Sequence, residues 1–227
     1  MKRNNYITNQ RELLNIYFKK MYAYMASGLI LSGIIAFFAS NIPSIAALFA
    51  NPFAILIAFI AQIAIIFMIQ NYVEKEDAQK SKTLFFVFCA LEGLVFSAIF
   101  TALSFSSIFI AFITSASLFI VMAIMGYFTA LDLSGLFPIL LSATIAIIIA
   151  GVVNLFVGGS VFSLIISIIS IILFSGWTAY DNQKMKSLFL QSNSDEYSEA
   201  LTVSGALELY LDFINLFISI LRLFNRD

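Results

Sequence analysis

Apolar positions in this chain gather into long unbroken runs rather than into alternating or one-faced patterns. Such runs occupy residues 21–40, 52–70, 83–103, 107–127, 136–157, 161–181 and 205–224. Each approaches or exceeds the roughly 20 residues that an α-helix needs to cross a hydrocarbon core ~30 Å thick. The pattern predicts an all-α integral membrane protein, a seven-transmembrane-helix bundle forming one domain over 21–227 behind a cytoplasmic N-terminal segment, residues 1–20. Polar or helix-breaking stretches separate the runs: Asn41-Ile42-Pro43, Asn51-Pro52, the charged segment 74–82, Ser104–Ser107, Asp132–Gly135, Gly158-Gly159 and the polar stretch 182–204. The run Met21–Ser40 is longer than the roughly 7–15 residues of a signal-peptide core, so it is read as a first span that stays in place.

Composition agrees. The 227 residues are 61% hydrophobic and 11% charged, where a soluble domain carries about a quarter charged residues. So little charge cannot cover a water-facing surface, and lipid must serve as solvent for most of the chain. Net charge is −1, which leaves no basic face to neutralise phosphates and excludes a nucleic-acid partner. The single cysteine, Cys89, permits neither an intrachain disulfide nor a cysteine metal cluster. Histidine is absent, so a response to physiological pH must come from carboxyl groups.

Basic residues set the expected orientation. Lys2, Arg3, Arg11, Lys19 and Lys20 precede the first span, Lys75, Lys80 and Lys82 follow the second, and Lys184 and Lys186 follow the sixth. The intervening loops on the other side carry none, which places the N-terminus in the cytoplasm. Arg222 and Arg226 are exceptions, because seven spans leave the C-terminus outside. No targeting segment is evident, and a bacterial inner membrane is the expected location.

Acids within the spans carry the candidate chemistry, since a charge at mid-membrane costs at least ~2.5–3.5 kcal/mol and such groups face the bundle interior. Asp181 ends the sixth span, Asp212 lies in the seventh and Glu92 in the third. In the seventh span Glu208, Asp212, Asn215, Ser219 and Arg222 are spaced 4, 3, 4 and 3, one helix face, as expected of a helix that lines a hydrated path. Ser163, Ser167, Ser170, Thr178 and Asp181 form a weaker stripe in the sixth. Counted at 1.5 Å per residue from the cytoplasmic side, Asp181 and Asp212 come to comparable depth on consecutive antiparallel helices. Two carboxylates ~4 Å apart at an effective dielectric near 20 repel by about 4 kcal/mol when both are ionised. Such a pair shares one proton and titrates as a unit; deprotonated, it offers the hard oxygen ligands calcium prefers. The plainer readings are a protonated aspartate pair acting as interhelical glue, Glu92 bonded to a neighbouring backbone, Arg222 snorkelling to the interface, and the run 194–199 as a solvated loop.

Several segments resemble the Bax inhibitor-1 (transmembrane Bax inhibitor motif) family: Leu91-Glu92-Gly93; Gly126-Tyr127-Phe128-Thr129 with Asp132-Leu133-Ser134; Ala179-Tyr180-Asp181-Asn182-Gln183; and Leu209-Tyr210-Leu211-Asp212-Phe213-Ile214-Asn215-Leu216-Phe217. The resemblance implies a last helix encircled by the other six and a pH-sensitive calcium leak in which Asp181 and Asp212 form the proton sensor. Relatives can hold the pair shut with an arginine of the second helix. Here that span offers only Gln62 and Gln70, so the resemblance extends to the sensor and not to that latch.

The leading expectation is therefore a proton-gated leak with lipid, protons and calcium as its partners, calcium being cargo with Asp181 and Asp212 as transient ligands, and with no cofactor. An intramembrane aspartyl protease would use two such acids, but needs Gly-x-Gly-Asp where this chain has Tyr210-Leu211-Asp212. The remaining alternative is a regulatory protein that acts through a membrane-protein partner and transports nothing.

Overall fold

The computed structural model describes residues 2–191 and 195–225, and side chains over 10–154, 158–191 and 199–225. Among the described residues it is all-helical: α1 (Lys2–Ser40), α2 (Pro43–Phe49), α3 (Pro52–Glu74), α4 (Ala78–Ala102), α5 (Phe105–Phe128), a 3-10 turn (Ser134–Leu136), α6 (Phe137–Val157), α7 (Ser160–Gln191) and α8 (Asp195–Phe224).

The interruptions have local causes. Asn51 caps α3 by accepting from the Phe53 N–H, with Pro52 next in line where a missing N–H costs nothing. Asp77 and Ser104 cap α4 and α5 through the N–H groups of Lys80 and Ser107. Gly158 and Gly159, at φ +62° and +145°, separate α6 from α7 in backbone conformations closed to most side chains. Proline at the first turn also starts a short helix, α2, where a plain break was expected.

Among the described residues, six stretches are long and apolar enough to cross a membrane: Gln10–Ser40, α3, α4, α5, Ser134–Asn154 and α7. Large hydrophobic side chains are exposed along them, among them Ile30, Phe38, Phe53, Phe67, Ile120, Ile139 and Ile172. A water-soluble surface does not carry apolar area on this scale; these side chains face lipid.

α8 differs. From Ala200 to Leu221 every residue is buried except Glu208, Leu211, Asn215 and Ile218, which are half-buried. The exceptions are spaced 3, 4 and 3 and continue to the exposed Arg222, so one narrow line of α8 is less covered than the rest.

Two helix boundaries depart from the sequence reading. The 194–199 run was expected as a loop, yet α8 already begins at Asp195, while Ser194 lies outside the described residues. α7 continues ten residues past Asp181 to Gln191, because the polar side chains beyond it find partners in the loop after α5. At roughly 48 Å, α7 exceeds the ~30 Å core and part of it projects beyond hydrocarbon.

The chain divides into two compact units, one of Met1–Leu103 with Leu188–Tyr210, the other of Ser104–Ser187 with Leu211–Asp227. In the first, α4 packs on α1, α3 and α2. The second contains α5, α6, most of α7 and the later part of α8.

Candidate functional site

The first unit holds a buried polar core around α4. Glu92 is 9% exposed and its Oε2 accepts from the Gln62 amide of α3. One turn earlier on α4, the Cys89 carbonyl accepts from the Ser32 hydroxyl of α1 at 2.7 Å. That uses the only proton Ser32 has, so the Tyr210 hydroxyl, 2.7 Å away, donates to Ser32 Oγ. Tyr210 is fully buried, edge-on to Phe85 and Phe88. α1 and α4 come this close because of two glycines. A Cβ on Gly93 would lie 2.7 Å from the Ser32 carbonyl oxygen, and one on Gly28 would lie 2.7 Å from Cys89 Sγ. Glycine at such positions lets helix backbones meet within a bilayer.

The second unit contains a clasp. The Gln183 side chain of α7 accepts from the Leu133 N–H through Oε1 and donates to the Leu131 carbonyl through Nε2, each at 2.7 Å. One turn on, Lys186 Nζ donates to the Tyr127 carbonyl at 2.9 Å and lies over the Tyr127 ring. A cation at the last carbonyls of α5 also suits that helix's negative end. α5 and α7 touch through Gly126, where a Cβ would sit 2.1 Å from the Ala179 carbonyl oxygen. Within the loop, Asp132 Oδ1 accepts from the Ser134 N–H, which holds its carboxyl below the usual aspartate range. In α6 and α7, Asn154 donates to Ser163 and Trp177 to Thr144.

Asp181 of α7 and Asp212 of α8 each lie 5% exposed, in this second unit, and both engage in polar or electrostatic interactions. Of the α8 stripe, Ser219 is buried, Glu208 and Asn215 are half-buried and Arg222 is exposed. Asn215 and Ser219 donate to carbonyls four residues back on their own helix, those of Leu211 and Asn215. In α7, Ser167 and Thr178 do likewise, to Ser163 and Phe174. These hydroxyls and this amide are satisfied locally and do not reach across helices. Glu92 belongs to the first unit, and its partner is a side-chain amide where a backbone group had been expected. Among the described residues no three Asp, Glu, Cys or His side chains converge as a metal site would require.

Gln183, Lys186, Ser32 and Tyr210 carry most of these connections, and residue-type reasoning alone did not single them out. Gln183 and Tyr210 fall within the family-like motifs, whereas Ser32 and Lys186 lie outside them. The two motif segments around Gly126–Ser134 and Ala179–Gln183 meet in the clasp, while Leu91-Glu92-Gly93 and Tyr210 meet in the core around Ser32.

Six apolar helices long enough to cross a bilayer, closed by buried polar networks, define a polytopic α-helical integral membrane protein in contact with the lipid bilayer. Residues 14–227 match the family described as inhibitor of apoptosis-promoting Bax1. The chain is 36% identical over 221 residues to an uncharacterized protein of Deinococcus radiodurans, covering 96% of this chain and 95% of that one. It is 35% identical over 225 residues to the inner membrane protein YbhL of Escherichia coli K12, covering 98% and 96%. An uncharacterized membrane protein of Streptococcus pyogenes shares 36% over 219 residues, 94% of each. The chain belongs to the Bax inhibitor-1 family.

Proposed function

We propose that this protein is a pH-sensitive calcium leak of a bacterial inner membrane, gated by a proton shared between Asp181 and Asp212. The observation that carries the reading is the burial of both acids, each 5% exposed, on the last two helices of an otherwise apolar chain. Two buried carboxylates in a low dielectric cannot both stay charged without a compensating cation. A shared proton satisfies them at low pH; its loss leaves repulsion that a passing divalent cation relieves. In this reading α8 is a seventh span and the central helix of the bundle, its near-complete burial supporting that place, and the half-covered line through Glu208, Leu211, Asn215 and Ile218 flanks the ion path. The N-terminus lies in the cytoplasm, and Arg222 anchors the far end of α8 at the interface. Membership of the family and the inner-membrane location of the Escherichia coli relative support the setting.

Closure without a second-span arginine needs another device. α3 offers Gln62, which binds Glu92, and Gln70, whose Oε1 accepts from Ser204 of α8 at 3.2 Å. Among the described residues these hydrogen bonds hold α3 to its neighbours without an ion pair, and in this reading the aspartate pair carries the proton-linked gate.

The decisive experiment is calcium flux into proteoliposomes between about pH 5 and pH 8, comparing wild type with Asp181→Asn and Asp212→Asn. Flux that rises with pH in wild type and loses that dependence in both variants is expected. Equal flux in all three at every pH would refute the gate.

A second reading takes its support from the family's description as an inhibitor of apoptosis-promoting Bax1: a membrane regulator that binds another protein and conducts nothing. Absent flux together with a stably co-purifying membrane partner would favour it.

A further inference from the structure

α3 ends in an unusual way. The Asp77 N–H bonds the Tyr72 carbonyl at 2.9 Å and the Glu76 N–H bonds the Val73 carbonyl at 3.0 Å. This is the Schellman stop, in which the residue after the cap takes a left-handed conformation and is usually glycine. Here that residue is Glu76, at φ +60°. A side chain in this region costs of order 1–2 kcal/mol that glycine would avoid, and strain of this kind collects where a side chain is needed.

The Glu76 side chain lines a cavity of about 520 Å³ walled by Tyr24 of α1, the 75–79 turn, Lys82 of α4, and Glu199 and Val203 of α8. That is within the ~300–1,000 Å³ of small-molecule sites. Its charges are separated rather than cancelled. Asp77 is already committed: it caps α4 and pairs with Lys80 at 2.9 Å, and those contacts hold its carboxyl below the usual range. Among the described residues Lys75, Lys82, Glu76 and Glu199 form no ion pair. Lys82 lies over the Tyr24 ring, 5.0 Å from its centroid. Two cations and two carboxylates thus surround one space where one span ends and the next begins, at the level of lipid headgroups.

We propose that this cavity binds the headgroup of a phosphoethanolamine lipid, with Lys75 and Lys82 meeting the phosphate and Glu76 and Glu199 meeting the ammonium. A primary ammonium has three N–H donors for carboxylates, whereas a quaternary choline has none. An anionic glycerol headgroup would satisfy the lysines and leave both glutamates facing negative charge. The bilayer is the source, because both spans bordering the cavity bring it to the membrane surface. The site does not depend on the ion-leak reading, and loss of calcium flux would leave it standing.

The test is native mass spectrometry of the full-length protein with phosphatidylethanolamine, phosphatidylcholine or phosphatidylglycerol, with water-soluble glycerophosphoethanolamine as a separate probe. Wild type should retain phosphatidylethanolamine about tenfold better than the other two lipids, the scale of one charge-assisted hydrogen bond. Glu76→Gly is the informative variant. Glycine relieves the backbone, so the lipid-free protein should melt no lower than wild type, while the preference for phosphatidylethanolamine falls about tenfold. Lys75→Gln with Lys82→Gln should weaken retention of phosphatidylethanolamine. Equal retention of the three lipids by wild type, or an unchanged preference in Glu76→Gly, would overturn the site. Glycerophosphoethanolamine binding as tightly as the lipid would overturn the bilayer as its source.

Discussion

Replacing Gly126 by alanine should loosen the packing of α5 on α7, and the cost can be worked from the geometry. The added Cβ would lie 2.1 Å from the Ala179 carbonyl oxygen and 2.7 Å from both its carbonyl carbon and Cα. All three neighbours are backbone, so no rotamer change can relieve the contact. Carbon atoms settle near 3.5–4.0 Å from their neighbours, so the helices must part by about 1 Å locally. A gap of that size forfeits roughly a quarter to a half of each contact along the seam. Overpacking of this kind costs about 1–3 kcal/mol, and the upper end applies because backbone must move. Alanine recovers up to ~1 kcal/mol in helix propensity. The net loss is about 1–2 kcal/mol, a fall in melting temperature of roughly 2–8 °C for a chain of this size. Thermal unfolding in detergent, followed by Trp177 fluorescence, measures it. Gly151→Ala is the control: nothing lies within 4 Å of its Cβ position, so it should be neutral or stabilising by about 0.5–1 kcal/mol. Gly126→Ala melting at or above wild type would refute the close approach.

Gln183→Ala should release the loop after α5, because both hydrogen bonds come from one side chain. A loss of about 1–3 kcal/mol is expected, with hydrogen exchange of the Leu133 amide accelerating before global unfolding. Tyr210→Phe removes the donor to Ser32 and keeps the ring packing on Phe85 and Phe88. It should cost about 1 kcal/mol in thermal stability, whereas Tyr210→Ala, which also opens a cavity, should cost about 3–5 kcal/mol.

The membrane character of this chain was legible from its apolar runs, because hydrocarbon demands a minimum helix length and tolerates almost no charge. Six of the expected spans correspond to helices of spanning length, with the breaks at Asn51-Pro52, Ser104 and Gly158-Gly159 set by caps and glycine geometry that sequence shows directly. The polar face of α8 was legible as spacing, since 3.6-residue periodicity is a local property. Its meaning was not. The stripe splits into a half-covered line through Glu208 and Asn215 and a buried flank with Asp212 and Ser219, and that division depends on what surrounds the helix.

Sequence by itself determined the solvent, the helical class, the family and the identity of the buried acids, because each follows from composition, run length or contiguous motif. Only the tertiary structure decided what those motifs do for one another. Gln183 reaches a loop fifty residues away, Gly126 exists to admit the Ala179 carbonyl, Gln62 holds Glu92, and Glu76 keeps a strained backbone beside a charged cavity. Contacts of this kind are made between helices whose order along the chain says nothing about which faces meet. They come into being only when the helices pack and each buried polar group must find a partner.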